Sequence, residues 1–206
     1  GPFGLQPTYY DVNRGTNDRN NEILLYADHT ETSEFYNGSS LTYSNGGAPE
    51  NFAGWMMTWN YTDIRSGTNS DGSGPVSSVQ REAAQHLGRP WTRMAPTIGA
   101  IVNTFADKTN DSRYDGTFVT VYRGNWPKGG VSNPVLYNAN NLPVTPGQPI
   151  LTFLNDEPAT AITYPSGAGS SNIGAGTLPG RADYVVDPQG ISRIVYPGLW
   201  KLGPYR

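Results

Sequence analysis

Only one window of this 206-residue chain carries a sustained apolar stripe at helical spacing. Ile98, Ile101, Val102 and Phe105 recur at i, i+3, i+4 and i+7, one face of a 3.6-period helix. Pro96 suits the first turn, where its missing N–H costs nothing. The stripe runs out in 107–111, a string of turn formers. Phe118, Val119, Val121 and Tyr122 then give a β-branched and aromatic strand signal. Elsewhere 25 Gly and 17 Pro interrupt the chain too often for long helices. The expected fold class is irregular α+β, with short antiparallel strands, one clear helix near 96–106 and long ordered loops, in one domain over 1–206.

Away from that window the signals are shorter. Residues 22–27, EILLYA, read as a buried strand. Residues 28–50 read as a long polar loop carrying Tyr36 and Tyr43. In 51–65, NFAGWMMTWNYTDIR, aromatic residues alternate with polar ones, which favours extended structure over helix. Residues 66–78 and 165–180 read as flexible loops. Residues 78–87 suit one or two helical turns capped by Ser78. A strand is expected at 148–154, and 182–187 with 191–196 suit a hairpin turning at 188–190.

Composition removes several classes of function. The net charge is −3 with no basic block, so a nucleic-acid partner is not expected. No apolar run approaches eighteen residues. There is no Cys, which removes disulfides, thiolate zinc sites and cysteine nucleophiles. The two histidines, His29 and His86, lack the spacing of a zinc pair. There are 13 Tyr, 6 Phe and 5 Trp for a loop-rich chain, to be used as anchors, as binding surface, or as both.

GRPWTRMAPT (88–97), followed by NTFADKTNDSRYDGTF (103–118), resembles the SusD/RagB family of surface glycan-binding lipoproteins. Residues 11–24 resemble it too, and 199–206 do so weakly. The resemblance implies the middle portion of a SusD-like fold, normally packed on tetratricopeptide-type helices that are not visible in this sequence. Family members are more than twice this length, so the chain is expected to be an internal portion. An exposed apolar patch is then expected where the helices would dock. The function implied is non-catalytic glycan binding at the cell surface, in the outer membrane. The implied partners are an oligosaccharide or polysaccharide and a SusC-like TonB-dependent transporter. Membrane contact would come only through an N-terminal lipid anchor outside this chain.

A sugar presents C–H faces to aromatic rings and hydroxyls to polar side chains. The stretch 51–65 supplies both, so Trp55, Trp59 and Tyr61 with Asn60, Asp63 and Arg65 form the candidate glycan site. Tyr36 and Tyr43 are second choices. The competing reading makes these rings core, because Trp and Tyr bury large apolar areas. Trp91, Arg93 and Arg113 are read as scaffold, with Asp111 and Arg113 pairing locally. No cofactor is expected. Ca²⁺ remains open at Asn17, Asp18, Asn20, Asn21 and Glu22, or at Asn69, Asp71 and Ser73, although Gln80 replaces the Glu a calcium loop needs. A glycosidase would need paired carboxylates such as Glu50 and Asp63, which nothing in their spacing singles out. The alternatives to the family reading are a stand-alone carbohydrate-binding module and a glycosidase fragment.

Overall fold

The computed structural model describes residues 3–12, 15–17, 19–25, 58–82, 84, 86–88, 90, 94–138, 141–156, 159–160 and 185–200. The fold is mixed, with few helices and short strands in small sheets, compatible with α+β. The helical pieces are α1 (Tyr9–Val12), α2 (Ala100–Thr104) and α3 (Arg113–Thr117). The strands are β1 (Arg65–Ser66), β2 (Val76–Ser77), β3 (Phe118–Val119), β4 (Val121–Arg123), β5 (Leu136–Tyr137), β6 (Pro143–Val144), β7 (Pro149–Phe153), β8 (Val185–Val186) and β9 (Gly198–Leu199).

The expected helix forms, shorter than its apolar stripe. The Thr97 hydroxyl accepts from Ala100 N at 3.1 Å, capping the first turn as a Thr side chain does. Pro96 therefore stands just outside the helix. Phe105 N bonds back to Ala100 O at 3.3 Å, an i→i−5 contact that makes α2 a π turn. The apolar stripe splits at that wider turn. Ile101 is buried, and Phe105 packs on Tyr114 and Phe118 at ring separations of 5.7 and 5.6 Å. Ile98 and Val102 stay exposed.

The segment Phe118–Arg123 organises the sheets. Its first half pairs antiparallel with β9 and its second half antiparallel with β7. β7 also pairs parallel with β8. The expected strands at 118–122 and 148–154 are thus formed. The aromatic core lies against them, with Trp59, Tyr61, Tyr122, Trp126 and Phe153 all enclosed.

Three expectations are corrected. Residues 22–25 of EILLYA form no strand, and Leu24 and Leu25 are 80% and 89% exposed. Glu22 is held by the Gln6 N–H and by the Asn20 side chain, which turns the chain outward. Residues 78–82 are not helical, because Ser78 donates through both N and Oγ to Ile64 O. The hairpin at 185–196 is absent. Asp187 instead captures Gly190 N at 2.6 Å and starts a 3-10 turn, which frees Val185–Val186 to join β7. The loop expected at 66–78 is for most of its length the connection of the β1–β2 hairpin, with Ser66, Val76 and Ser77 in its strands. The loop expected at 165–180 lies outside the described residues.

Two clamps hold the loops to this frame. The Asn125 side chain accepts from Gln80 N at 2.5 Å and donates to Gln80 O and Glu82 Oε2, both at 3.2 Å, across more than forty residues of chain. Asn125→Ala leaves both backbone groups of Gln80 without these partners. It should cost about 1–3 kcal/mol in a urea unfolding curve. The second clamp is Trp126, whose Nε1 donates to Asn133 O at 2.7 Å. Its 3-10 turn Trp126–Gly129 ends at Gly130 with φ +80, a left-handed conformation that suits glycine.

Candidate functional site

The structure divides the aromatic stretch into what is enclosed and what faces out. Residues 58–60 carry no strand, and Tyr61–Asp63 form a 3-10 turn rather than the expected extended run. Trp59 and Tyr61 nevertheless reach the same partner, Tyr122. Trp59 meets Tyr122 edge-on at 5.4 Å and Phe153 at 6.3 Å. Tyr61 stacks on Tyr122 at 5.8 Å and 27°, and its hydroxyl donates to Gly88 O at 2.7 Å. Both rings have no solvent exposure. Their faces are occupied by other rings, so this conformation leaves none for a sugar.

The polar partners of that stretch stand differently. Asn60, Asp63 and Arg65 are half-buried. Asn60 Oδ1 accepts from the Thr62 hydroxyl at 2.6 Å. Arg65 Nε is enclosed and makes no hydrogen bond. Tyr36, Tyr43 and Trp55 lie outside the described residues, as do Glu50, Trp91 and Arg93. Among the described residues the site expected over 55–65 therefore reduces to its polar members.

Several described side chains of the two oxygen-rich loops are spent internally, and Asp18 lies outside the described residues. Asp71 Oδ1 accepts from Ser73 N at 2.8 Å, and Asn69 Nδ2 donates to Ser73 Oγ at 2.8 Å. Asn17 Nδ2 donates to Gln6 Oε1 and Asp11 O, while Asn20 Nδ2 donates to Val12 O and Asn17 O. Amide donors point where a cation needs oxygen. Among the described residues no group of three or more His, Cys, Asp or Glu is placed to hold a metal.

No family model matches this chain, and no curated protein does either.

Within the motif stretch 94–118 Ile101, Tyr114 and Phe118 are built into the frame, and other side chains face out. Asp111 and Arg113 form an exposed pair, with Arg113 Nε 2.8 Å from Oδ1 and Nη2 2.5 Å from Oδ2. The Arg113 hydrogen bond holds the Asp111 carboxyl below the usual carboxylate range. Tyr114 is enclosed between Phe105 and Phe118, and burial pushes its phenol up to about 12. Lys108 Nζ lies 5.3 Å from the Tyr114 ring centre, a cation–π contact that sequence reading missed. These contacts fit the scaffold reading of Arg113.

A second charged group sits on the Asn125 clamp. Lys128 Nζ donates to Glu82 Oε1, and that bond lowers the Glu82 pKa. Partial burial lowers the His86 pKa, and the Glu82 charge only partly offsets it. Both shifts carry the same sign for stability. The unfolded chain binds more protons than the folded one below the ordinary His and Glu values of 6.5 and 4.5. Stability should therefore fall as pH drops below about 6.5, and again below about 4.5. Urea midpoints at pH 7.5, 5.5 and 4 would show this, and His86→Gln should remove part of the first step.

Proposed function

We propose that this chain is the non-catalytic, ligand-binding middle portion of a SusD/RagB-type surface lipoprotein. It holds an oligosaccharide at the outer membrane for a SusC-type, TonB-dependent transporter. The observation that carries the reading is the run 88–118 with its Trp, Arg, Pro and Asp spacing. The use of its C-terminal half as frame supports that reading. Tyr114, Phe118 and Phe105 pack together, and Phe118 starts the segment 118–123 that pairs first with β9 and then with β7. The exposed Met94, Ile98 and Val102 beside α2 suit a protein in which further helices pack at that place.

The aromatic recognition residues of this reading are the remaining candidates, Tyr36, Tyr43 and Trp55, which lie outside the described residues. The polar residues Asn60, Asp63 and Arg65 accompany them. Rings supply stacking that tolerates position along a sugar chain, and hydrogen bonds supply sugar identity. A glycan-array screen of the full-length protein, scored for both binding and sugar release, tests it. Binding to a glycan class without hydrolysis is expected. Reducing sugar released during the assay would move the chain to the glycosidase reading. The absence of any bound glycan would end the carbohydrate reading.

A further inference from the structure

The β1–β2 hairpin and the β5–β6 pair are joined by one bridge. Gly67 and Tyr137 exchange both backbone hydrogen bonds at 2.9 Å. That bridge makes the two small sheets one four-stranded surface in the order β2, β1, β5, β6. Residues opposite each other across such a pairing share a face, and side chains alternate along each strand. Ser66, Leu136 and Val144 therefore point one way, and all three are buried. Ser77, Arg65, Tyr137 and Pro143 point the other way, where Arg65 and Tyr137 are half-buried and Pro143 is exposed.

On that face Arg65 stands two residues along its strand from Gly67, which adds no side chain, and Tyr137 stands opposite Gly67, so the two polar heads are diagonal neighbours. Arg65 has no ion-pair or hydrogen-bond partner among the described residues, and its Nε is enclosed. An enclosed guanidinium donor without a partner calls for an explanation, since buried polar groups are almost always paired. The Tyr137 hydroxyl also makes no hydrogen bond among the described residues and is not enclosed. Gly67 is itself buried, so a ligand would lie across the tips of Arg65 and Tyr137 rather than on the backbone.

We infer that this face is a shallow subsite for an acidic sugar, with Arg65 taking the carboxylate and the Tyr137 ring and hydroxyl taking the adjoining pyranose. The proposal rests on the glycan-binding reading above and adds to it a place and a ligand class. A guanidinium offers paired N–H donors whose spacing matches the two oxygens of a carboxylate. A tyrosine ring with a free hydroxyl offers an apolar plane and one polar contact, the combination a pyranose requires. A neutral sugar would leave the Arg65 charge uncompensated on binding. Charge at the sugar is therefore the property selected.

The test is titration calorimetry of the full-length protein with three probes of equal length. These are an oligogalacturonate, its fully methyl-esterified form and a sulfated neutral oligosaccharide. The acid should bind, and esterification should weaken it by roughly tenfold or more, the loss of a charge-assisted bond. Arg65→Gln should lower affinity for the acid by a similar factor while leaving the urea midpoint near wild type. Tyr137→Phe should give a smaller loss. Equal binding of acid and ester would overturn the subsite and leave the glycan-binding reading standing. So would an Arg65→Gln protein that is folded and binds the acid as wild type does. Tighter binding of the sulfated probe than of the acid would overturn the carboxylate assignment. If none of the three binds and the glycan array is also blank, the broader reading falls together with this one.

Discussion

Trp59→Ala should lower the unfolding free energy by about 3–5 kcal/mol, the cost of deleting a large enclosed aromatic side chain. The indole has no solvent exposure and is set edge-on against Tyr122 and Phe153 at 5.4 and 6.3 Å. Those rings are held from other sides as well. Tyr122 stacks on Tyr61 and accepts from Gly198 N at 3.2 Å, so the space cannot close by a simple shift. For a chain of this size the cost corresponds to a fall in melting temperature of about 10 °C. Trp59→Phe should be much milder. Its ring keeps most of the packing against Tyr122 and Phe153. A differential scanning trace of the two variants would check both. The pair also guards a functional experiment, because a loss of glycan affinity in Trp59→Ala alone would report a damaged core. If Trp59→Ala melted like wild type, the enclosed position of this ring would be wrong.

Gly124→Ala is expected to cost about 3 kcal/mol, at the upper end of the usual overpacking range. A Cβ at this position would stand 2.3 Å from Trp126 Cζ3 and 2.8 Å from Cε3. Neither side can yield. Gly124 N donates to Gln148 O at 3.0 Å, and its carbonyl accepts from Gly147 N at 2.8 Å. Trp126 is wholly enclosed and tied through Nε1 to Asn133 O. Gly130→Ala makes the contrast. Nothing lies within 4 Å of its added methyl, and only the positive φ is penalised. Its cost should be about 1 kcal/mol, the usual preference for glycine in the left-handed region. Urea midpoints of the two variants, measured side by side, separate a steric clash from a backbone preference.

The parts of the fold that are legible in the sequence share a property. Ile101 with Phe105, Phe118 to Tyr122 and 149–153 each combine local propensity with a neighbour that rewards it. The helix at 98–104, β3, β4 and β7 follow from that agreement. The misses come where local propensity met a stronger nonlocal partner. Ile23 to Leu25 look like a strand, yet no strand among the described residues pairs with them, and Glu22 is claimed by Gln6. Val185–Val186 look like half of a hairpin, yet the free edge of β7 takes them in parallel. The short helix α3 was missed because Gly116 sits inside it, a residue of low helix propensity. Enclosure of Tyr114 outweighs that preference.

The candidate site shows the same division. Trp59 and Tyr61 meet the same ring, Tyr122, without the expected strand, and no local pattern said whether they faced water. That depended on Tyr122 and Phe153, about sixty and ninety residues away along the chain, closing over both rings. Arg65 was legible as a polar partner of those rings. Its relation to Tyr137 was not, because a bridge between two-residue strands leaves almost no trace in composition or period.

From the sequence alone came the mixed class, the one helical window and the two central strands, since each is decided by side chains within a few positions of one another. Tertiary structure alone decided which aromatic residues became core, and it left Arg65 half-buried with no hydrogen-bond partner for its Nε. Burial is a property of how distant segments meet, and no local pattern carries it.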